Sequence, residues 1–286
     1  MPGIIVARIL CRSWQCNNKN SRLIGMKVSL VVCTYNWPAA LEAVFNSVAQ
    51  QTIYPDEVVI ADDGSTDDTR ELIERMRLEM PFKILHVWQE DKGFRLAMSL
   101  NRAFAKCTGD YIIKIDGDII MERHFIEDHI RRAKSGCFLC GSRSKLTEER
   151  TLRIFKTKDI TLSPWSNGVR RRLNVVRLPW LAAFFYDYNH GRGCNMSFWR
   201  NDLYAVNGFD NDIVGYGRED TDFIERMKRY GVKQRFMKFC CVQYHLYHKD
   251  TPSKLDKGMQ AINDNHLNSN TEKRVIRIEN GIDKLM

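Results

Sequence analysis

No stretch of the chain approaches the roughly 18 consecutive apolar residues that a membrane-spanning helix requires. The longest apolar segment, from Leu178 to Tyr186, is about half that length. Proline is scarce at 7 of 286 residues and glycine numbers only 17, which excludes collagen-like and low-complexity character. The nine cysteines form no paired spacing pattern, and the single Cys137-x-x-Cys140 has neither a second pair nor a nearby histidine to complete a zinc site. Cys33, Cys140, Cys240 and Cys241 fall inside apolar runs and read as buried structural thiols in a reducing compartment. Acid is missing from residues 1–25, where Arg8, Arg12, Lys19 and Arg22 supply four of the nine net positive charges. This tail reads as disordered or as lying upstream of a native start at Met26. What is present in quantity is apolar sequence, 44% of the chain, enough for a sizeable core.

From Val28 the pattern alternates. Val28 to Cys33, Glu57 to Ala61, Ile84 to Trp88 and Tyr111 to Ile115 read as buried parallel strands. The helical spacings Leu41/Val44/Phe45/Val48, Leu72/Ile73/Met76 and Leu96 to Phe104 fall between them. Pro38 suits a first helical position, and Ser65 or Thr66 a helix cap. Strand, helix, strand, helix with short links predicts an α/β fold whose ligands bind beyond the carboxyl ends of the strands. Thr34-Tyr35-Asn36, Asp62-Asp63-Gly64-Ser65, Gln89 to Arg95 and Asp116-Gly117-Asp118 therefore meet at one rim. The expected division is a nucleotide-binding half over 26–135, an acceptor-binding and catalytic half over 136–250, and a polar tail over 251–286.

Asp116-Gly117-Asp118 ends a strand, and two carboxylates flanking one residue suit a hard divalent cation with its bound phosphates. Asp62-Asp63 suits a strand-to-helix turn as well as contacts to a nucleobase or a ribose. Glu219-Asp220 opens a helix after the Gly-rich run Gly208 to Gly217. There the helix dipole is expected to keep both ionised, which suits a general base. Trp199 and Tyr216 offer flat faces on which a sugar can stack, and His245, ahead of His248, suits a metal shell. Arg170-Arg171-Arg172 followed by Trp180, Phe184 and Phe185 has the order of an interfacial anchor, while no nucleic-acid motif is present.

Four segments in order, VSLVVCTYNWP, VVIADDGSTDDT, GDYIIKIDGDII and NGFDNDIVGYGREDTDF, resemble the family 2 glycosyltransferases of GT-A fold. The last is similar to the C-terminal part of galactosyltransferases and chondroitin-polymerase-type enzymes. It departs in having Val214-Gly215-Tyr216-Gly217 for an aromatic-Gly-Trp and in Thr221, which interrupts the acidic run. The resemblance implies a Rossmann-like, mostly parallel sheet flanked by helices, with an acceptor-binding C-terminal part. It implies inverting transfer from a nucleotide-sugar (UDP-linked) to an oligosaccharide or lipid-linked acceptor, with Mn2+ or Mg2+, in surface polysaccharide or lipopolysaccharide synthesis. Such an enzyme would be cytoplasmic and peripheral to the inner face of an anionic membrane. By the same resemblance Cys33, Thr34, Tyr35, Asn36 and Asp63 would hold the base, Asp116 the ribose and Arg95 the diphosphate. Asp118 and His245 would hold the metal, Asp220 would be the base, and Glu219 would contact the acceptor hydroxyl. A nucleotidyltransferase, or a carbohydrate-binding module on the same scaffold, is the alternative; the first lacks its Gly-rich phosphate loop after the first strand.

Overall fold

The structure is a computed structural model that describes residues 25–187, 193–249 and 256–285; the expectation for the basic tail lies outside them. Four strands, β1 (Val28–Thr34), β2 (Glu57–Asp62), β3 (Lys83–Trp88) and β4 (Tyr111–Asp116), appear within about a residue of their expected bounds. They lie parallel in the spatial order β3-β2-β1-β4. The helices α1 (Pro38–Ala49), α2 (Asp67–Glu79) and α3 (Leu96–Lys106) alternate with them. Continuous apolar strands need cover on both faces. Leu30, Val32, Ile60 and Ile113 pack under Leu41, Val44, Phe45 and Ile73, while Val31, Val59 and Ile112 pack under Leu100 and Phe104.

The sheet does not stop at residue 135. β6 (Cys137–Gly141), β8 (Asn195–Trp199) and β9 (Lys233–Met237) continue it in the order β4-β8-β6-β9, with β8 antiparallel to both neighbours. A second sheet joins β5 (Ile119–Met121), β10 (Gln243–His245) and β7 (Ser144–Lys145). The helices α4 (Phe125–Arg132), α5 (Glu148–Thr157), α6 (Arg200–Ala205), α7 (Glu219–Arg229) and α8 (Lys257–Glu272) complete the described α-helices, and short 3-10 helices form at Arg172–Asn174, Pro179–Phe185 and Ile282–Leu285. Within the expected polar tail, α8 forms over Lys257–Glu272, and Asn263, Ile278 and Ile282 are buried.

Two local details bear on the expectations, a helix cap that differs from them and a cysteine pair that agrees with them. Thr66 does precede α2, but its hydroxyl and amide donate to the Asn36 side-chain oxygen instead of capping the helix. Cys137 and Cys140, three apart on one strand, point to opposite faces and stay free thiols. Among the described residues no helix is long and apolar enough to cross a membrane.

Candidate active site

The parallel register brings the four expected loops to one rim, with Thr34 beside Asp62, Asp62 beside Trp88 and Cys33 beside Asp116. In the Asp62-Asp63 pair the roles divide. Asp62 builds the turn, accepting from the Ser65 amide at 2.8 Å and lying 2.7 Å from His86 Nε2. Asp63 accepts from the Arg95 amide at 2.8 Å and the Gln89 side chain at 2.5 Å, and burial raises its carboxyl above the ordinary value. Gly64 holds a φ of +100°, and a Cβ there would lie 2.5 Å from the Asp91 backbone, so the turn requires glycine. Tyr35 is half exposed at the rim and donates to Asp91 at 2.9 Å. Thr34 is buried in β1, and Asn36 spends its side-chain oxygen on Thr66.

Asp116 ends β4. The Cys33 thiol lies 3.4 Å from its Oδ1, and the Lys114 ammonium 3.3 Å from the same oxygen. Lys114 stands two residues earlier on the same strand face, fully buried, and its Nζ also reaches Asp220 Oδ1 at 3.5 Å. Asp116 and the helix-borne Asp220 thus share one ammonium, which bounds the gap between the two oxygens at about 7 Å. Burial disfavours the charge on Lys114, but Asp220 and Asp116 outweigh it and hold the amine well above its usual range. Burial likewise opposes ionisation of Asp116, but Lys114, Arg143 and His245 outweigh it and the carboxyl lies below its usual value.

Asp220 and Glu219 begin α7. Burial raises Asp220, with Lys114 and the Gly193 amide opposing. A Cβ on Gly193 would sit 1.7 Å from the Asp220 carboxylate, so that position is kept open by the absence of a side chain. Glu219 is pushed up to about 8 by burial and then by Asp220, and its Oε2 is buried with no hydrogen-bond partner. The expectation that the helix dipole keeps both ionised is corrected for Glu219, because desolvation exceeds the dipole's fraction of a kcal/mol to about 2 kcal/mol.

Asp118 meets two histidines. β5 follows it directly and pairs with β10, setting His245 opposite Ile119, and the Leu246 amide donates to the Asp118 carbonyl at 2.9 Å. His245 Nε2 lies 3.2 Å and His248 Nε2 3.6 Å from Asp118 Oδ2, and one ligand atom from each of the three residues lies within 4.8 Å of the others. The Nδ1 of His245 is 2.6 Å from the Leu246 carbonyl and that of His248 2.8 Å from the Lys249 carbonyl. Each Nδ1–H therefore donates to a carbonyl and leaves Nε2 as the free lone pair, the usual support of a metal-ligating imidazole. Burial lowers His245, which keeps it neutral, and the Asp118 Oδ1 is buried without a partner. This donor set fits a divalent cation.

Several expectations change. Arg95 does not extend along the rim. Its guanidinium donates to the Glu90 carbonyl and approaches the Met98 sulfur at 3.7 Å. Arg143, not singled out in the sequence, is the guanidinium whose charge acts on both Asp116 and Asp118. Trp199 sits at the far end of β8, opposite Tyr111, whereas Asn195 is the residue opposite Ile115. At about 3.4 Å per residue it lies some 14 Å along the strand from the rim and donates instead to the Lys134 carbonyl. Tyr216 is at the rim, edge-on to Phe94 with ring centroids 6.2 Å apart. His248, Lys114, Arg143 and Gln89 complete the cluster. Lys114 carried a signal in the sequence, a lone charge inside the apolar run Tyr111 to Ile115.

Comparison with known proteins bears on this arrangement. The family model described as Glycosyl transferase family 2 matches residues 29–195, and that described as N-terminal domain of galactosyltransferase matches 181–249; α8 lies beyond both. The validoxylamine A glucosyltransferase of Streptomyces hygroscopicus subsp. limoneus is 27% identical over 229 residues, covering 72% of this chain and 48% of the relative. Chondroitin synthase of Escherichia coli is 24% identical over 264 residues, covering 85% and 38%. The chain thus spans about half or less of the length of these curated relatives. Among solved structures, a mannosyltransferase from Pyrobaculum calidifontis in complex with GDP-Man and Mn2+ superposes with a TM-score of 0.61 at 20% identity, covering 87% of this chain and 64% of that one. TarS of S. aureus in complex with UDP-GlcNAc gives 0.53 at 18% identity, covering 80% and 60%. The sheet order and these likenesses are those of the GT-A fold. With more than half its length inside the first family model, the chain belongs to glycosyl transferase family 2.

Proposed function

We propose that the chain transfers a sugar from a nucleotide-sugar, a UDP-sugar, to a hydroxyl of an oligosaccharide or lipid-linked acceptor with inversion of configuration. The observation that carries this reading is the shared Lys114 ammonium, which holds Asp116 and Asp220 at one site with their nearer oxygens no more than about 7 Å apart. Asp220 takes the proton from the acceptor hydroxyl, which attacks the anomeric carbon from the face opposite the departing diphosphate. Glu219, neutral near pH 7, donates a hydrogen bond to the acceptor. Tyr35 and Asp63 line the nucleobase side of the rim and Tyr216 the acceptor side.

Asp118, His245 and His248 would hold a divalent cation, which offsets the charge that gathers on the leaving diphosphate. Two imidazoles beside one carboxylate favour Mn2+ over Mg2+. The solved neighbours that hold Mn2+ with GDP-Man, or with UDP and GalNAc, support a metal-dependent reading.

The acceptor is proposed to belong to surface polysaccharide or lipopolysaccharide synthesis, met at the inner face of an anionic membrane. Trp180 and Phe184 are both more than 70% exposed, and Arg171 and Arg172 are exposed close by in the chain. Absence of flotation with anionic liposomes at low salt would remove that part.

The central test is release of nucleoside diphosphate from a panel of nucleotide-sugars with Mn2+, in the wild type and in Asp220→Asn. The variant is expected to lose transfer by on the order of 10²–10⁴-fold while keeping nucleotide affinity. Full transfer by Asp220→Asn would remove Asp220 from the mechanism.

A further inference from the structure

The segment 256–285 looked like a tail in the sequence, yet α8 is fastened along the loop that leads into Glu219-Asp220. Asn263 is buried, and its side-chain amide donates to the Val214 carbonyl at 3.0 Å and to the Gly217 carbonyl at 3.1 Å. One turn on, His266 Nε2 lies 2.8 Å from Asp210 Oδ2. A further turn on, the Asn270 amide donates to Asp210 at 3.2 Å and to Asp222 at 3.0 Å. Residues three and seven apart share a helix face, so one polar stripe grips both ends of the 210–222 stretch. Met259 packs so closely over Gly215 that a Cβ there would lie 2.4 Å from its Cγ. On its other side the same loop is pinned to the donor-side segment, the Gly215 amide donating to the Phe94 carbonyl at 2.9 Å.

We propose that Asn263 is a positioning residue. By satisfying two carbonyls of the loop 214–217 from α8, it sets where Tyr216 and the Glu219-Asp220 helix start stand relative to the donor, and so governs use of the acceptor. The inference rests on the reading of Tyr216 and Asp220 as acceptor-side groups. Without the amide, two partly buried loop carbonyls lose their partner, and the loop gains freedom where geometry matters most. Donor contacts at Asp63, Asp116 and Asp118 come from other strands and are untouched.

The test combines hydrogen exchange read by mass spectrometry with turnover, on the full chain, Asn263→Ala and Asn263→Leu, the leucine keeping the volume. Amides across residues 211–222 are expected to exchange about tenfold faster or more in both variants, with β1–β4 unchanged. The acceptor KM is expected to rise about tenfold, while acceptor-independent hydrolysis of the nucleotide-sugar with Mn2+ stays within about twofold of wild type. Wild-type exchange across the loop in a folded variant overturns the proposal, as does equal loss of hydrolysis and transfer. In the wild type itself the loop and α8 should open as one unit; independent exchange of the two overturns the proposal with no variant required. If the wild type consumes no nucleotide-sugar at all, the functional reading falls, and the exchange data still decide the clamp.

Discussion

Replacing Lys114 by methionine removes the one ammonium that Asp116 and Asp220 share while keeping most of the buried stem. At 3.5 Å and an effective dielectric of about 20, each contact is worth about 5 kcal/mol of attraction. Asp220 keeps some exposure and Asp116 rather more, so water recovers a good part of it. A residual of about 1.4 to 3 kcal/mol raises the Asp220 carboxyl by a further one to two units. The raised acid is the neutral form, so the base is lost on the acidic side. The acid limb of the rate profile should move up by the same one to two units, and at pH values below the wild-type limb transfer should fall about 10- to 100-fold. Activity should then recover as pH rises. The assay is kcat/KM for transfer between pH 5.5 and 9, with thermal unfolding recorded on each sample. An acid limb unmoved in a folded Lys114→Met enzyme would refute the argument that Lys114 keeps the base ionised.

Three other outcomes follow from the same geometry. His248→Ala should weaken Mn2+ binding about 10- to 100-fold by calorimetry, because it removes one of three ligand atoms gathered within 4.8 Å; affinity equal to wild type would leave His245 and Asp118 as the working pair. Gly193→Ala should fold yet lose most transfer, since its Cβ would displace the Asp220 carboxylate, and hydrolysis without acceptor should fall less. His129 is buried, its Nδ1 2.7 Å from Ser197 Oγ and its Nε2 3.1 Å from Asn195 Oδ1, and burial pushes it down to about 3. The folded state therefore refuses a proton that the unfolded state accepts near 6.5. Stability is complete above that value and should drop by about 1.4 kcal/mol at pH 5.5 and further below it, as read by urea unfolding. Equal loss on acidification in His129→Gln would assign the effect to other groups.

The parts of the fold that were legible in the sequence are those whose burial is two-sided and local. Runs such as Val28–Thr34 and Tyr111–Asp116 are apolar throughout because helices cover both faces, and the residues that follow them necessarily share a rim. β6, β8 and β9 gave a weaker signal because each owes its place to partners far off in the chain, as in the antiparallel match of Ile113 with Ser197. Helix α8 escaped notice for a different reason. Its one fully buried side chain is Asn263, and the grip of Asn263, His266 and Asn270 is polar, whereas periodicity detects apolar stripes. The sequence favours His245 over His248 because the resemblance matches a single late histidine, at His245. β10 ends at His245, and the chain then bends so that both rings return to Asp118.

The proposed reaction needs one base from the two adjacent carboxyls at the start of α7, and the surroundings separate them. Glu219 is buried and Asp220 partly so; desolvation raises both, and Asp220 raises Glu219 further. Only Asp220 is in contact with an ammonium, at 3.5 Å, and only Asp220 accepts from the Gly193 amide; both favour its ionised form. Glu219 has an orphan oxygen and is pushed up to about 8, whereas Lys114 and the Gly193 amide oppose the rise that burial imposes on Asp220. Environments that push neighbouring acids apart assign them opposite duties, acceptor of a proton and donor of a hydrogen bond. Asp222, two residues on, is spent differently again. It binds Arg226 at 2.6 Å with both side chains fully buried, and that guanidinium donates onward to the Val206 and Gly208 carbonyls. The third acid of Glu219-Asp220-Thr221-Asp222 thus anchors the helix whose first turn is proposed to carry the chemistry. Replacing it should cost stability before it costs any step of transfer.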